Sequence, residues 1–250
     1  MTREDSLAPE RVEPLLTGRI GRPYVYEESC GSTQDLLDRD MPEGALAVCN
    51  EQTEGRGRLG RGWTAPPGTA ILASVLFRPP ENRVVSEISL VAGTAVAEAI
   101  EDAVALAVQV KWPNDVMLNR RKVAGVLAEA SDGVVVVGIG VNVKQTRNQL
   151  PEDTKVAAAS LYTIDGTKRD RAALLASILE RLEQNYDAWV ERGLDGVYDS
   201  LGSRDFLRGR RIALDGESGI GVKIDRDGRF LVDVGGEQRA VESGEIVYER

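Results

Sequence analysis

Residues 134–143 read Val-Val-Val-Val-Gly-Ile-Gly-Val-Asn-Val, and four consecutive valines favour an extended strand buried on both faces. A chain carrying such a strand has to pair it into a sheet and cover that sheet with other elements. Compact apolar runs bounded by Gly and Pro at Ala45–Cys49 and Thr69–Phe77 supply candidate partners, with a Gly/Arg loop between them. Leu106–Lys111 and Lys122–Ala130 read as further strands, and together with 134–143 they are expected at the centre of the sheet. Ile88, Val91, Ala92, Ala95, Val96, Ala99 and Ile100 recur at helical spacing and predict an amphipathic helix over 84–103 that covers the sheet. Leu175, Ile178, Leu179, Leu182, Tyr186, Trp189 and Val190 predict a second long helix, ended by the Arg192-Gly193 step. Ser32-Thr33 is placed to cap a short helix that begins an apolar face with Leu36 and Leu37.

The two ends of the chain read differently. Residues 1–20 are polar, carry Pro9 and Pro14, show no sustained period and are expected to be a weakly ordered lead-in. From Leu207 onward, short alternating strands such as Val222/Ile224 and Phe230/Val232/Val234, with turns like Asp225-Arg226-Asp227-Gly228, predict a small β-barrel. The polar stretch Lys144–Ala159, with Pro151, is expected to be a long loop of the kind that serves as a lid or stays disordered. The expected fold class is α+β: a lead-in (1–20), a mixed-sheet catalytic domain covered by helices (21–205) and a barrel domain (206–250).

Composition narrows the chemistry. The chain has no histidine, which removes His-based triads, His general bases and His-ligated metals. Reaction chemistry must run on Lys, Arg, Asp, Asn, Gln and backbone groups. Two cysteines, Cys30 and Cys49, are too few for a secreted disulfide scaffold. The opening Met-Thr-Arg-Glu-Asp lacks the order of a signal peptide, and no apolar run approaches the roughly 20 residues that span a bilayer. A cytoplasmic protein without membrane contact is expected. A net charge of −9 argues against a surface built throughout for polyanions, while a local arginine cluster remains able to hold phosphate.

Such a cluster exists. In Gly55-Arg56-Gly57-Arg58-Leu59-Gly60-Arg61-Gly62-Trp63, glycines that let a ligand approach the backbone alternate with arginines that pair with phosphate or carboxylate oxygens. The plainer reading is a flexible basic or nucleic-acid-binding segment; its position between two strands favours an ordered ligand loop. Lys111-Trp112-Pro113-Asn114-Asp115 ends a strand at a proline turn and leaves Asn114 and Asp115 at the rim of the sheet. There Asn can read an adenine edge and Asp can hold Mg²⁺, although Pro, Asn and Asp are also ordinary turn residues. Lys122 opens the run Val123–Ala128, where a lysine is usually a solvated flank. Gly138-Ile139-Gly140-Val141-Asn142 lacks the third glycine and the following helix of a dinucleotide fingerprint, so a Rossmann site is rejected. Glycines inside a strand suggest instead that something packs flat against the sheet there.

Taken in order, Gly31-Ser32-Thr33-Gln34, Gln52 with the Gly/Arg loop, Lys-Trp-Pro-Asn-Asp at 111–115, Arg121-Lys122-Val123-Ala124-Gly125 and Gly138–Asn142 resemble the biotin protein ligase family. The resemblance covers roughly residues 24–250, including an ending around Gly244-Glu245-Ile246 like that of the family's C-terminal domain. It implies a class II aminoacyl-tRNA synthetase-like, biotin/lipoate ligase type of catalytic domain with an SH3-like C-terminal barrel. It also implies two reactions: biotin and ATP, with Mg²⁺, form biotinyl-5′-AMP and pyrophosphate, and the biotinyl group then passes to a lysine of a biotin carboxyl carrier protein.

By the same resemblance, Ser32, Thr33, Gln34 and Gln52 bind biotin over a floor of Gly138 and Gly140, and Arg56, Gly57 and Arg58 close over biotin and the adenylate. Arg61, Asn114, Asp115 and Asn142 fall at the nucleotide, with Asp115 also the candidate metal ligand and a candidate base for the incoming lysine; Trp63 is the candidate adenine platform, although an aromatic after a Gly-rich loop is at least as often a core anchor. Lys122 steadies both the carboxylate and the developing phosphoryl charge, which makes Lys122, Arg58 and Asp115 the catalytic set. Many family members carry a DNA-binding domain of some 60 residues ahead of the ligase; here the first motif begins near residue 28, so the monofunctional form without DNA binding is expected, as a monomer or homodimer. Gln34 stands where Asn is frequent, and both present a carbonyl and an amide. Lipoate protein ligase is the nearest rival, disfavoured by the Arg-Gly-Arg loop and the 111–115 segment. A non-catalytic nucleic-acid-binding protein is the rival from another class, disfavoured by net acidity and 5% aromatic content.

Overall fold

A computed structural model describes residues 5–152, 154, 156–214, 217–244 and 246–248. In chain order the elements of the larger unit are α1 (Pro9–Val12), β1 (Tyr24–Cys30), β2 (Leu46–Gln52), β3 (Ala70–Phe77), α2 (Ile88–Val104), β4 (Val108–Lys111), β5 (Asp115–Leu118), β6 (Arg121–Ser131), β7 (Val134–Asn142), α3 (Leu161–Asp165), α4 (Arg171–Arg192) and α5 (Tyr198–Ser203). The strands form a seven-stranded sheet in the order β1-β2-β3-β7-β6-β5-β4. β1 and β2 run parallel and the other neighbours antiparallel, so the sheet is mixed and the fold is α+β.

The valine run became β7, the middle strand, paired over its length with β3 and β6. The expectation that Leu106–Lys111 lies at the centre is corrected, because β4 is the edge strand. Its partner β5, four residues long, has too few side chains to display a period of its own. Edge strand β1 also escaped notice, since Glu27, Glu28 and Ser29 interrupt any apolar alternation.

Alternation divides the sheet into two faces with different duties. Ile71, Ala73, Val75 and Phe77 of β3, with Val135, Val137, Ile139 and Val141 of β7, pack with α2 and α4 into the main core. Leu72, Ser74 and Leu76 point to the other face, where Leu76 joins a small cluster with Ala47 and Leu37, and Leu72 joins Cys49 and Trp63. Both long helices occur where their periods predict, and α2 is preceded by a 3-10 turn at Val85–Glu87. The short helix after Ser32 is a single 3-10 turn, Thr33–Leu36, with the Ser32 hydroxyl accepting from the Gln34 N–H.

The lead-in also differs from expectation. Leu7, Val12, Leu16 and Ile20 are buried in the main core; residues 1–4 lie outside the described residues. The signal was thin, because these four residues stand four or five apart with polar residues between them and the one α-helix in the segment, α1, is only four residues long. Asp5 anchors it, accepting from Arg171 at the start of α4 (Nε to Oδ2, 3.1 Å) and pairing with Lys144. The fully buried Arg171 guanidinium donates further to the carbonyls of Ala70 (2.9 Å) and Asp5 (2.6 Å) and to Asn50 Oδ1 (3.2 Å), which satisfies a charge that would otherwise be costly to bury.

The remaining strands, β8 (Arg211–Leu214), β9 (Glu217–Ile224), β10 (Phe230–Val234), β11 (Glu237–Val241) and β12 (Val247–Tyr248), form an antiparallel sheet in the order β11-β10-β9-β8-β12. Among the described residues β11 and β12 do not pair, so this sheet is open where a closed barrel was expected. Phe206, Leu207, Ile212, Ile224, Phe230 and Val232 continue the main core into it. Asp205 fastens the joint by accepting from the N–H groups of Leu207 and Ile224, and the Trp112 indole N–H donates to the Gly228 carbonyl at 2.9 Å.

Replacing Arg171 with Met strips its partners of their donor and is expected to lower unfolding free energy by about 3 kcal/mol. Urea titration of the two proteins measures this, and a loss below about 1 kcal/mol would contradict the anchoring role given to the network.

Candidate active site

The face of the sheet turned away from α2 and α4 carries a cavity of about 230 Å³. Its floor crosses β3, β7, β6, β5 and β4, and its walls come from the Thr33–Leu36 turn, the Gly/Arg loop and Pro151, Thr154, Val156 and Ala158 of the segment after β7. That segment is fastened at both ends: the Lys144 N–H donates to the Thr69 carbonyl, the Ala159 N–H donates to the Lys122 carbonyl (2.9 Å), and the Lys122 N–H donates to the Ala157 carbonyl (2.8 Å). Asp153 and Lys155 of the expected lid lie outside the described residues.

At the β3 end the groups are neutral. Gln52 Oε1 accepts from both the N–H (2.8 Å) and the hydroxyl (3.0 Å) of Thr33, and that hydroxyl meets Ser74 Oγ at 2.7 Å. Gln34 is nearly buried, with Nε2 3.4 Å from the Leu127 carbonyl. The Gln34 amide packs over Gly138, 3.4 Å from where a Cβ there would stand, an ordinary contact distance.

Gly140 serves Trp63. A Cβ there would meet indole Cε2 at 2.5 Å, and one on Gly125 would meet Cζ3 at 3.1 Å. The flat object expected against the glycines of β7 is thus the chain's own indole. Lys122 Nζ lies 5.5 Å from the centre of the same ring, at the reach of a cation–π contact.

The other end is charged. Lys122 Nζ stands 2.6 Å from Asp115 Oδ1, with both side chains partly covered. Arg58 Nη1 lies 3.4 Å from Asn114 Oδ1 and 3.3 Å from the Gly244 carbonyl, so the Gly/Arg loop touches both the β4–β5 hairpin and the second sheet. Asn114 Nδ2 donates to the Val126 carbonyl at 2.8 Å and thereby pins the hairpin to β6. Asn142 is likewise occupied: its Nδ2 donates to the Ala159 carbonyl (3.2 Å) and its Oδ1 accepts from Gln145 (2.8 Å). Arg56 pairs with Asp35 and, at 3.3 Å, with Glu129; the Asp35 hydrogen bond raises its already high pKa.

Every residue expected at the site therefore reaches one cavity: Ser32, Thr33, Gln34, Gln52, Arg56, Gly57, Arg58, Arg61, Trp63, Asn114, Asp115, Lys122, Gly138, Gly140 and Asn142 all line it. Ser74 and Lys111 line it too, and neither was singled out. Strand alternation is the signal that finds both, once neighbours of known facing are available. Arg56, Arg58, Arg61, Lys111 and Lys122 face Asp115 as the sole carboxylate among the described lining residues. Such a cavity attracts anions, and its neutral end offers directional donors and acceptors for a small polar group. The described residues contain no group of three or more acidic or Cys side chains arranged to hold a metal, and no helix among them is long and apolar enough to cross a membrane.

The chain is thus an α+β protein with a helix-covered mixed sheet whose open face carries a cationic cleft, and comparison with known proteins identifies its family. The family model described as "Biotin/lipoate A/B protein ligase family" matches residues 28–145. The biotin--[acetyl-CoA-carboxylase] ligase of Mycobacterium tuberculosis is 34% identical over 271 aligned positions that cover 100% of both chains. The bifunctional ligase/repressor BirA of Bacillus subtilis is 33% identical over 249 positions, covering 93% of this chain and 76% of that protein. Among solved structures, the biotin protein ligase from Aquifex aeolicus in complex with biotin and ATP superimposes with a TM-score of 0.81 at 32% identity, covering 90% of this chain and 98% of that one. The chain belongs to the biotin/lipoate protein ligase family.

Gly140→Ala is expected to push the Trp63 indole off the sheet. Tryptophan emission should shift to longer wavelength, since Trp112 and Trp189 are buried elsewhere. An unshifted spectrum from a folded variant would show that the contact is not tight.

Proposed function

We infer that this chain is an ATP-dependent biotin–protein ligase, which forms biotinyl-5′-AMP from biotin and ATP and transfers the biotinyl group to a lysine of a biotin carboxyl carrier protein. One observation carries the reading: separate strands and the Gly/Arg loop bring cations to one end of a cavity whose other end is lined by uncharged hydrogen-bonding groups. A carboxylate repels nucleophiles, and joining it to AMP supplies an activated carbonyl with a good leaving group. Both substrates of that step are anionic, so bringing them together requires fixed positive charge.

The residue roles follow from position. Ser32, Thr33, Gln34 and Gln52 take the biotin ring over Gly138 and Gly140, and Trp63, packed on Gly140, stands at the nucleotide. Lys122 lies between the two ends and exchanges Asp115 for the biotin carboxylate and the α-phosphate. Arg56, Gly57 and Arg58 cover the intermediate, Arg61 attends the triphosphate, and Asn114 and Asn142 hold the nucleotide end of the pocket in shape. In transfer, the acceptor nitrogen attacks the carbonyl carbon, AMP leaves with its oxygen, and Asp115, relieved of Lys122, takes the proton.

Mg²⁺ is expected with ATP. Asp115 is the one carboxylate among the described lining residues and would be the protein's ligand to such an ion beside ATP. When bound, that ion neutralises phosphate charge. The second sheet is read as an SH3-like module that is not closed between β11 and β12 among the described residues, and the larger unit as the class II synthetase-like type. The protein is placed in the cytoplasm, where free thiols such as those of Cys30 and Cys49 persist, as a monomer or homodimer.

Biotin-dependent exchange of labelled pyrophosphate into ATP tests the reading. The wild-type chain should catalyse it, and lipoate should not replace biotin. Lys122→Ala is expected to lower exchange at least about 100-fold, equivalent to about 2.7 kcal/mol of transition-state stabilisation, while melting as a folded protein. Exchange by the variant at the wild-type rate would remove Lys122 from the mechanism.

A further inference from the structure

Two segments wall the pocket, the Gly/Arg loop between β2 and β3 and the segment after β7, and their roots lie together. Asn50 lies near the end of β2 ahead of the loop, Ala70 begins β3 behind it, and Lys144 follows β7 at the start of the second segment. Backbone bonds tie these roots to one another: the Gly68 N–H donates to the Asn50 carbonyl (3.2 Å) and the Lys144 N–H to the Thr69 carbonyl (2.8 Å). Side chains then tie them to one point in the lead-in.

That point is Asp5. Its carboxylate accepts from the Arg171 backbone N–H (Oδ1, 3.2 Å) and guanidinium (Nε to Oδ2, 3.1 Å), and it pairs with the Lys144 ammonium. Arg171 carries the connection on to both stems of the Gly/Arg loop, donating to Asn50 Oδ1 (3.2 Å) and to the Ala70 carbonyl (2.9 Å). The Asp5 and Lys144 side chains are 18% and 25% exposed, so solvent screens their pair less than it screens an ion pair on the open surface. None of Asp5, Lys144 and Arg171 lines the pocket, which separates anything they do there from contact with a substrate.

We propose that Asp5 is a positioning residue for catalysis: through Lys144 and Arg171 it holds the roots of both pocket-walling segments, and the lead-in thereby sets how firmly the pocket closes over the adenylate. The catalytic part of this role rests on the ligase reading, since an activated adenylate is useful only while the pocket keeps it in and water out. A segment fixed at its roots has less conformational freedom left to lose when it closes on a ligand, so the anchor acts on retention without touching the ligand. Lys144 is the link specific to the segment after β7, and Arg171 the link to the loop stems.

Amide hydrogen exchange on the full chain reads the positioning directly. Asp5→Asn and Lys144→Met should each speed exchange in the segment after β7 at least about tenfold, while the amides of α2 keep the wild-type rate. Should Asp5→Asn fail to fold, Lys144→Met, which leaves Arg171 its carboxylate, carries the test. The double variant should exchange there no faster than the faster single one, because both act through one pair, and Asp5→Glu should return to within about threefold of wild type. Glu183→Ala is the structural control: Glu183 fastens the lead-in by accepting from the Ile20 N–H (3.0 Å), about 18 Å along α4 from Arg171, and its loss should lower the melting temperature without speeding that segment. Release of biotinyl-5′-AMP should quicken about tenfold in Asp5→Asn and Lys144→Met and stay at the wild-type rate in Glu183→Ala. Segment exchange at the wild-type rate in Lys144→Met, equal acceleration by Glu183→Ala, or unchanged adenylate release from a loosened segment each overturns the role of Asp5. Absence of biotin-dependent pyrophosphate exchange in the wild-type protein overturns the ligase reading and the catalytic part of this role, while hydrogen exchange still decides the anchoring.

Discussion

Gly125, Gly138 and Gly140 withhold side chains from one face of the sheet, and the room they leave is what the site is built in. The opposite face is buried under α2 and α4 by ordinary apolar packing. On the glycine side the Trp63 indole settles where a β-carbon at Gly140 would crowd it, while the Gln34 amide lies at ordinary contact distance from the position a β-carbon at Gly138 would take. Removing that space would leave the cations of the loop with no shared cavity to line. The catalytic arrangement thus rests on a steric condition in the middle of the sheet before it rests on any charge.

The chain holds its reactive cations by lending them internal partners. Lys122 leans on Asp115, Arg56 on Asp35 and Glu129, and Arg58 on Asn114 and the Gly244 carbonyl. Each contact limits the rotamers a long side chain must lose when a ligand arrives, and each is weak enough to exchange for a phosphate or carboxylate oxygen. The Gly244 contact also has a topological consequence. It connects the loop over the pocket with the second sheet, which Trp112 and Asp205 fasten to the larger unit from below.

Much of this was legible in the amino-acid order. The valine run predicted its strand, the spacing at 88–100 and 175–190 predicted two helices, and the ordered motifs pointed to residues that converge on one cavity. Shorter signals failed for identifiable reasons. β5 has four residues, β1 is interrupted by acids, and residues 5–20 bury Leu7, Val12, Leu16 and Ile20 as single apolar residues four or five apart in a polar stretch. β4 read as a central strand because its apolar alternation is the same at an edge as in the middle, and the alternating strands after Leu207 read as a barrel because local pattern carries no information on closure.

Sequence by itself determined which residues exist to do the chemistry: without histidine, the work falls to lysine, arginine and a few amides and carboxylates, and periodicity determined the elements that carry them. Tertiary structure decided what each one faces. Trp63 against Gly140, Asn142 turned to Ala159 and Gln145, and Lys111 across from Asp115 are pairings between segments distant in the chain or dependent on strand register. Local preference sets a strand's period but not its neighbours, and only the neighbours fix which alternate side chains meet the ligand and which meet the core.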